Sequence, residues 1–203
     1  MKFTLHRTQT TETDRFVCII SGDGLLNPIA KALAVRFAGA GYAAARVKAI
    51  AYFWDKRSPQ HMSKDLQRYM RRRLKRVPTA QFTFVGYSFG AGTLPFALNL
   101  LSPRLKEHIE KVILIAPPAQ ADFKFFFRSW FHKPTEKAKA TAPEIQQLSE
   151  VKPVLYVYGE DDYVGARAYL KPHKNLEFIS LPGGHDLNKD MDGLFFAIMK
   201  SSG

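Results

Sequence analysis

Ser88 stands between two glycines in the stretch GYSFG, residues 86–90. A serine hydroxyl is a poor nucleophile unless a base takes its proton. A chain that uses one therefore needs an imidazole, and behind the imidazole a carboxylate that fixes its tautomer and stabilises the imidazolium. Both residue types follow in a suitable order. Asp161 and Asp162 lie in YGEDDYV, and His185 lies in PGGHD. The implied chemistry is acyl transfer. Ser88 attacks an ester carbonyl, His185 serves as base and then acid, and one of the two aspartates orients His185.

Such side chains work only if a rigid frame brings them together. Apolar runs at 15–21, 42–47, 81–85, 111–116, 153–158 and 176–181 read as strands. They are almost wholly apolar, and helical patterns lie between them. That combination implies a mostly parallel sheet covered by helices on both faces, an α/β fold. Helix starts are marked twice by a polar cap followed by proline: Asn27-Pro28 opens a helix to about 40, and Ser58-Pro59 opens an amphipathic one to about 76. A third helix runs to about 101, and a last one from about 189 to 200. Sites in parallel sheets form at the carboxyl ends of the strands. Ser88, the aspartate pair and His185 each follow a strand there.

The context of Ser88 is specific. GYSFG lies between the strand QFTFV and the apolar helix AGTLPFALNLL, the setting of a sharp strand-to-helix turn that exposes a nucleophile. Glycines at 86 and 90 remove side chains that such a turn has no room for. The helix N-terminus beneath Ser88 offers backbone amides to a developing oxyanion. One oxyanion donor is expected from the N–H of Phe89. The other is expected from the loop SGDG at 21–24, as the amide of Asp23 or Gly24.

Composition bounds the rest. The chain has 203 residues, 46% hydrophobic and 24% charged, which suits a single domain, 1–203. Its only cysteine, Cys18, sits inside FVCII and reads as core. The uncharged stretch 77–103 holds Pro78, Pro95, Gln81 and Asn99 and so reads as strand, turn and helix rather than a membrane span. No apolar signal segment follows Met1-Lys2, which predicts a cytoplasmic protein. The net charge of +12 favours anionic partners, with RYMRRRLKR at 68–76 as the densest block. Nucleic acid is the weakest of these expectations because it rests on charge alone. No spacing calls for a metal or an organic cofactor, and nothing in the chain speaks to its oligomeric state.

The stretches SGDG (21–24), YFWDKRSPQ (52–60), GYSFGAGTLPFALN (86–99), VYGEDD (157–162) and LPGGHD (181–186), with Trp130 after ADF, resemble the bacterial virulence protein family of VirJ and the AcvB C-terminal domain. The whole chain thereby resembles the α/β-hydrolase superfamily. Hydrolases of this type often carry G-x-x-D after the strand, which selects Asp162 and leaves Asp161 second. The resemblance implies a serine esterase without cofactor. AcvB-like proteins are associated with hydrolysis of lysyl-phosphatidylglycerol, and VirJ-like ones with periplasmic virulence and secretion functions, so the resemblance implies export. A soluble ester, a thioester, or a non-catalytic secretion scaffold are the alternatives. Residues 123–150 occupy the place of a lid insertion. Its opening half, FKFFFRSWFHKP, mixes aromatics with cations and so suits peripheral contact with an anionic membrane. Candidate substrate contacts are Tyr87, Trp130 and Asp23, the last for a cationic aminoacyl group.

Overall fold

The computed structural model describes residues 1–6, 13–22, 28–124, 136–163 and 165–201. The chain runs β1 (Thr4–His6), β2 (Arg15–Ile20), α1 (Ile29–Gly39), β3 (Ala43–Val47), α2 (Ala49–Phe53), α3 (Pro59–Leu74), β4 (Gln81–Tyr87), α4 (Phe89–Asn99), α5 (Pro103–Glu107) and β5 (Ile109–Ile115). It continues with β6 (Gln120–Ala121), β7 (Lys139–Ala140), α6 (Ala142–Ser149), β8 (Val154–Gly159), β9 (Leu176–Leu181) and α7 (Met191–Lys200). Seven strands form one sheet in the order β1-β3-β2-β4-β5-β8-β9. Every pairing in it is parallel except that of β1 with β3. The expected α/β architecture is present.

Alternation along the strands builds two cores. In β2, Phe16, Cys18 and Ile20 face one side of the sheet, while Val17 and Ile19 face the other. The first side is covered by α3, α4 and α6, which pack on one another. The second is covered by α1 and α7, also in mutual contact. Central strands buried on both faces must be apolar throughout. This is why β2, β4, β5 and β8 read as continuous hydrophobic runs. Phe82, Phe84 and Tyr156 are fully buried, each stabilising the fold by roughly 1.5–3 kcal/mol.

Local signals account for the helix boundaries. The Ser58 hydroxyl accepts the His61 N–H at 3.2 Å, and Pro59 occupies the first position of α3. The first long helix begins at Ile29 with Pro28 as its flanking residue, and the expected cap Asn27 lies outside the described residues. Pro95 sits inside α4 without breaking it. The Thr93 hydroxyl donates to the carbonyl of Phe89 at 3.1 Å, so a side chain ties the turn that precedes the proline.

The expected lid over 123–150 needs redrawing. Ala142–Ser149 is a helix of the body, packed on α4 and β8 as the crossover into β8, and Lys139–Ala140 pairs with Gln120–Ala121. Ile145 and Leu148 are fully buried, which anchors this helix to the core. Residues 125–135, Trp130 among them, lie outside the described residues. Among the described residues no helix is long and apolar enough to cross a membrane.

Candidate active site

The chain leaves β2 to form β3 on one side, then returns to place β4 on the other. The carboxyl ends of β2 and β4 therefore flank the point where strand order reverses, where a crevice opens in such sheets. Ser88 follows β4 at that point, and Ser21-Gly22 follows β2 beside it.

Ser88 adopts φ 52°, ψ −116°, a region that L residues avoid. Holding it there costs on the order of 1–3 kcal/mol, which the surrounding packing must over-determine. The two flanking glycines make that possible. A Cβ on Gly86 would stand 2.6 Å from the Cα of Ala91, and one on Gly90 would stand 2.3 Å from the carbonyl oxygen of Ile20. Ser88 is also the residue that caps α4. Its carbonyl accepts the N–H of Gly92 at 2.9 Å, and its own N–H donates to Ile115 in the neighbouring strand at 2.8 Å. The turn is thus pinned on both sides.

The side chain reaches an unbroken relay. Ser88 Oγ lies 2.8 Å from His185 Nε2, and His185 Nδ1 lies 2.9 Å from Asp162 Oδ2. The Asp162 carboxylate is only 4% exposed, whereas the imidazole is 48% exposed. A buried carboxylate facing Nδ1 favours the tautomer that leaves Nε2 able to accept the serine proton. The exposed imidazole leaves room for a substrate beside Oγ.

Backbone bonds lock the two loops that carry acid and base. Glu160 N–H donates to Leu181 O at 2.9 Å, Asp161 N–H to Gly183 O at 3.0 Å, and Asp162 N–H to Gly159 O at 3.0 Å. Asp161 uses its backbone in this zipper and leaves its side chain exposed. Between the two aspartates, the structure brings Asp162 to His185.

Tyr87 has a different place from that expected. It is 2% exposed, so it is not a surface for substrate. Its hydroxyl donates to the backbone carbonyl of His185 at 3.2 Å, and the two rings stand 5.9 Å apart. The period-2 pattern of β4 carries the signal for this. Tyr87 shares a face with Val85, on the side where α1 and α7 pack. After His185 the backbone takes three successive left-handed residues, Leu187, Asn188 and Lys189, with φ of 53°, 51° and 56°. Leu187 is buried there and anchors the loop in the core.

Phe89 is the first residue of α4, so its N–H has no intrahelical acceptor and lies directly after the nucleophile. Gly22 approaches closely enough that a Cβ on it would meet Ser88 Cβ at 3.3 Å. The loop expected to supply the second oxyanion donor therefore starts beside Ser88, while Asp23 and Gly24 themselves lie outside the described residues. Behind Phe89 an aromatic wall extends through Phe53, Phe123 and Phe96, with ring centroids 5.0, 6.2 and 5.3 Å apart in sequence. Among the described residues no group of three or more His, Cys, Asp or Glu side chains is placed to hold a metal ion.

This sheet, with a serine on a strained strand-to-helix turn after β4, has the α/β-hydrolase fold. Solved structures agree. An α/β serine hydrolase without a lid from Xanthomonas campestris matches with TM-score 0.61 and 17% identity, over 97% of this chain and 85% of that one. A serine hydrolase homologue from Coxiella burnetii matches with TM-score 0.66 and 16% identity, over 98% and 89%. The ferulic-acid complex of Est1E from Butyrivibrio proteoclasticus matches with TM-score 0.66 and 14% identity, over 97% and 92%. The model of the bacterial virulence protein (VirJ) family matches residues 14–202, and the chain belongs to that family. No curated protein matches the chain.

Proposed function

We propose that the protein is a serine hydrolase of carboxylic esters, with Ser88 as nucleophile, His185 as general base and acid, and Asp162 as the group that orients His185. The observation that carries this reading is the relay of 2.8 and 2.9 Å contacts ending on a serine held at positive φ. Ser88 Oγ attacks the ester carbonyl carbon as its proton passes to Nε2. The carbonyl oxygen gains negative charge facing the N-terminus of α4 and the amide of Phe89. Collapse expels the alcohol oxygen, which takes the proton from His185 and leaves an acyl-serine. Water then attacks this acyl group, gives its proton to Nε2, and the carboxylic acid leaves with Ser88 restored.

For substrate we infer an aminoacyl ester of a lipid, with lysyl-phosphatidylglycerol as the leading case. Membership of the VirJ family supports it, and so does local charge. Glu160, Asp161 and Asp186 are exposed carboxylates on the two loops that hold Asp162 and His185, on a chain whose net charge is +12. That concentration of negative charge suits a cationic acyl group held beside the imidazole. Asp23 is a further candidate for that contact. The half-buried rings of Phe89 and Phe123, backed by the buried Phe53, suit the apolar part of the substrate.

The test is release of free lysine from liposomes containing lysyl-phosphatidylglycerol, native protein against Ser88→Ala. Lysine release that vanishes in the variant supports both parts of the reading. Ser88-dependent cleavage of short soluble esters with no lysine release keeps the hydrolase and discards the lipid. Silence on both discards the hydrolase.

A further inference from the structure

The basic block of α3 is not part of the site just described. Arg68 and Arg72 stand four residues apart on α3 and so about 6 Å apart along its axis, and Arg76 follows in the turn just past its end. Together with Arg73, Lys75, Tyr69 and the start of the chain around Phe3, they line a cleft of about 770 Å³. The cleft runs along the β1 edge of the sheet, and its Arg73–Arg76 end lies at the other end of the sheet from Ser88. The carboxyl end of α3 meets the beginning of β2, where Arg73 stands 5.8 Å over the ring of Phe16, while Ser88 follows the far end of β4. A seven-residue strand separates the two levels by about 20 Å.

The charge of the described residues in this cleft is unbalanced. Among the described residues Asp65 is the only acidic one lining it, and it is committed to Arg68 at 2.9 Å and to the Tyr52 hydroxyl at 2.7 Å. Among the described residues no carboxylate pairs with Arg72, Arg73, Lys75 or Arg76. Like charges four apart on a helix repel, so Arg68 and Arg72 destabilise the bare helix. Cations in the last turn do offset the helix dipole, but the effect fades within that turn and does not account for the whole row. The floor is apolar and recessed. Phe3 and Tyr69 stack with centroids 4.6 Å apart, and Tyr69 is 5% exposed.

We propose that this cleft binds a soluble organic polyphosphate of nucleotide size. Several guanidinium groups in a row match clustered phosphate oxygens, which they can take in bidentate pairs. The volume lies in the range of small-ligand sites, and the stacked rings offer a patch for an organic moiety. A bilayer is the poorer occupant, because its docking favours projecting rings, and here the rings are sunk behind the charges. The site is independent of the hydrolase reading.

The experiment is calorimetric titration of the full chain with adenosine triphosphate and with inorganic triphosphate at low salt. The control proteins are Ser88→Ala and Arg104→Ala, an exposed arginine far from the cleft in sequence. The expected result is saturable binding by the native chain and both controls. It weakens at least about tenfold in the double variant Arg72→Ala, Arg76→Ala, whose two side chains are exposed and whose melting temperature checks its fold. Absence of binding up to about 1 mM overturns the proposal. So does binding that the double variant leaves unchanged. Binding to phosphatidylglycerol vesicles or to a single-stranded oligonucleotide, with neither triphosphate bound, also overturns it and assigns the face to a macromolecule.

Discussion

Replacing Asp162 by Asn keeps shape and removes charge. The carboxylate lies 2.9 Å from His185 Nδ1 with its side chain 4% exposed, while the imidazole is 48% exposed, so solvent screens the pair in part. When Ser88 attacks, the imidazole becomes positive. Two unit charges with centres near 4 Å interact by about 4 kcal/mol at an effective dielectric constant of about 20. At about 1.4 kcal/mol per factor of ten, the amide should lower kcat by roughly a thousandfold. An amide can also present its NH₂ to Nδ1 and select the wrong tautomer, which deepens the loss. KM should change little, because the interaction strengthens only as charge develops. The matching variant is Asp161→Asn, whose backbone N–H still bonds Gly183 and whose side chain is exposed. It should leave kcat within about twofold on a small uncharged ester, by the usual weakness of exposed charges. The assay is steady-state hydrolysis of a p-nitrophenyl ester, with thermal melts to confirm that both variants fold. A large loss in Asp161→Asn, or less than a tenfold loss in Asp162→Asn, would refute the reasoning.

Three further outcomes follow from the packing. Gly90→Ala puts a Cβ 2.3 Å from the Ile20 carbonyl oxygen, so the turn must shift; melting temperature should fall and esterase activity should vanish, and a fully active variant would contradict the geometry. Tyr87→Phe removes the hydroxyl that holds the His185 carbonyl at 3.2 Å, a bond worth about 1 kcal/mol, so kcat should fall about fivefold with KM unchanged. A rise in KM alone would return Tyr87 to substrate binding. Burial pushes the Cys18 thiol up to about 12, so it stays protonated below that pH. A thiol reagent at pH 8 should modify it only after denaturation, and rapid labelling of the native protein would place Cys18 outside the core.

Much of the frame could be read from residue types because its burial is symmetric. RFVCII and QFTFVGY are sealed on both faces after their first residue, so they are mostly apolar and stand out as runs. The relay was legible because each member follows a strand, and chain order then places all three at one sheet edge. What escaped depended on neighbours remote in sequence. Thr4–His6 is a short edge strand with an exposed face, recognisable only by its partner β3. The helix at Ala142–Ser149 looked like lid because nothing in APEIQQLS says that Ile145 and Leu148 meet α4 and β8. Tyr87, expected as a substrate contact, is turned by the pleat to the face of Val85, where α1 and α7 pack. The G-x-x-D spacing favours Asp162 over Asp161, and the backbone zipper to Leu181 and Gly183 is the physical reason that Asp162 faces His185.

The central claim is that Ser88 is an activated nucleophile, and its most direct test is covalent. The native protein should react with a fluorophosphonate to give one adduct per chain, located at Ser88 by peptide mass. Ser88→Ala should take no label, and His185→Ala should react far more slowly. Absence of labelling in the native protein, or labelling that survives Ser88→Ala, would contradict the account.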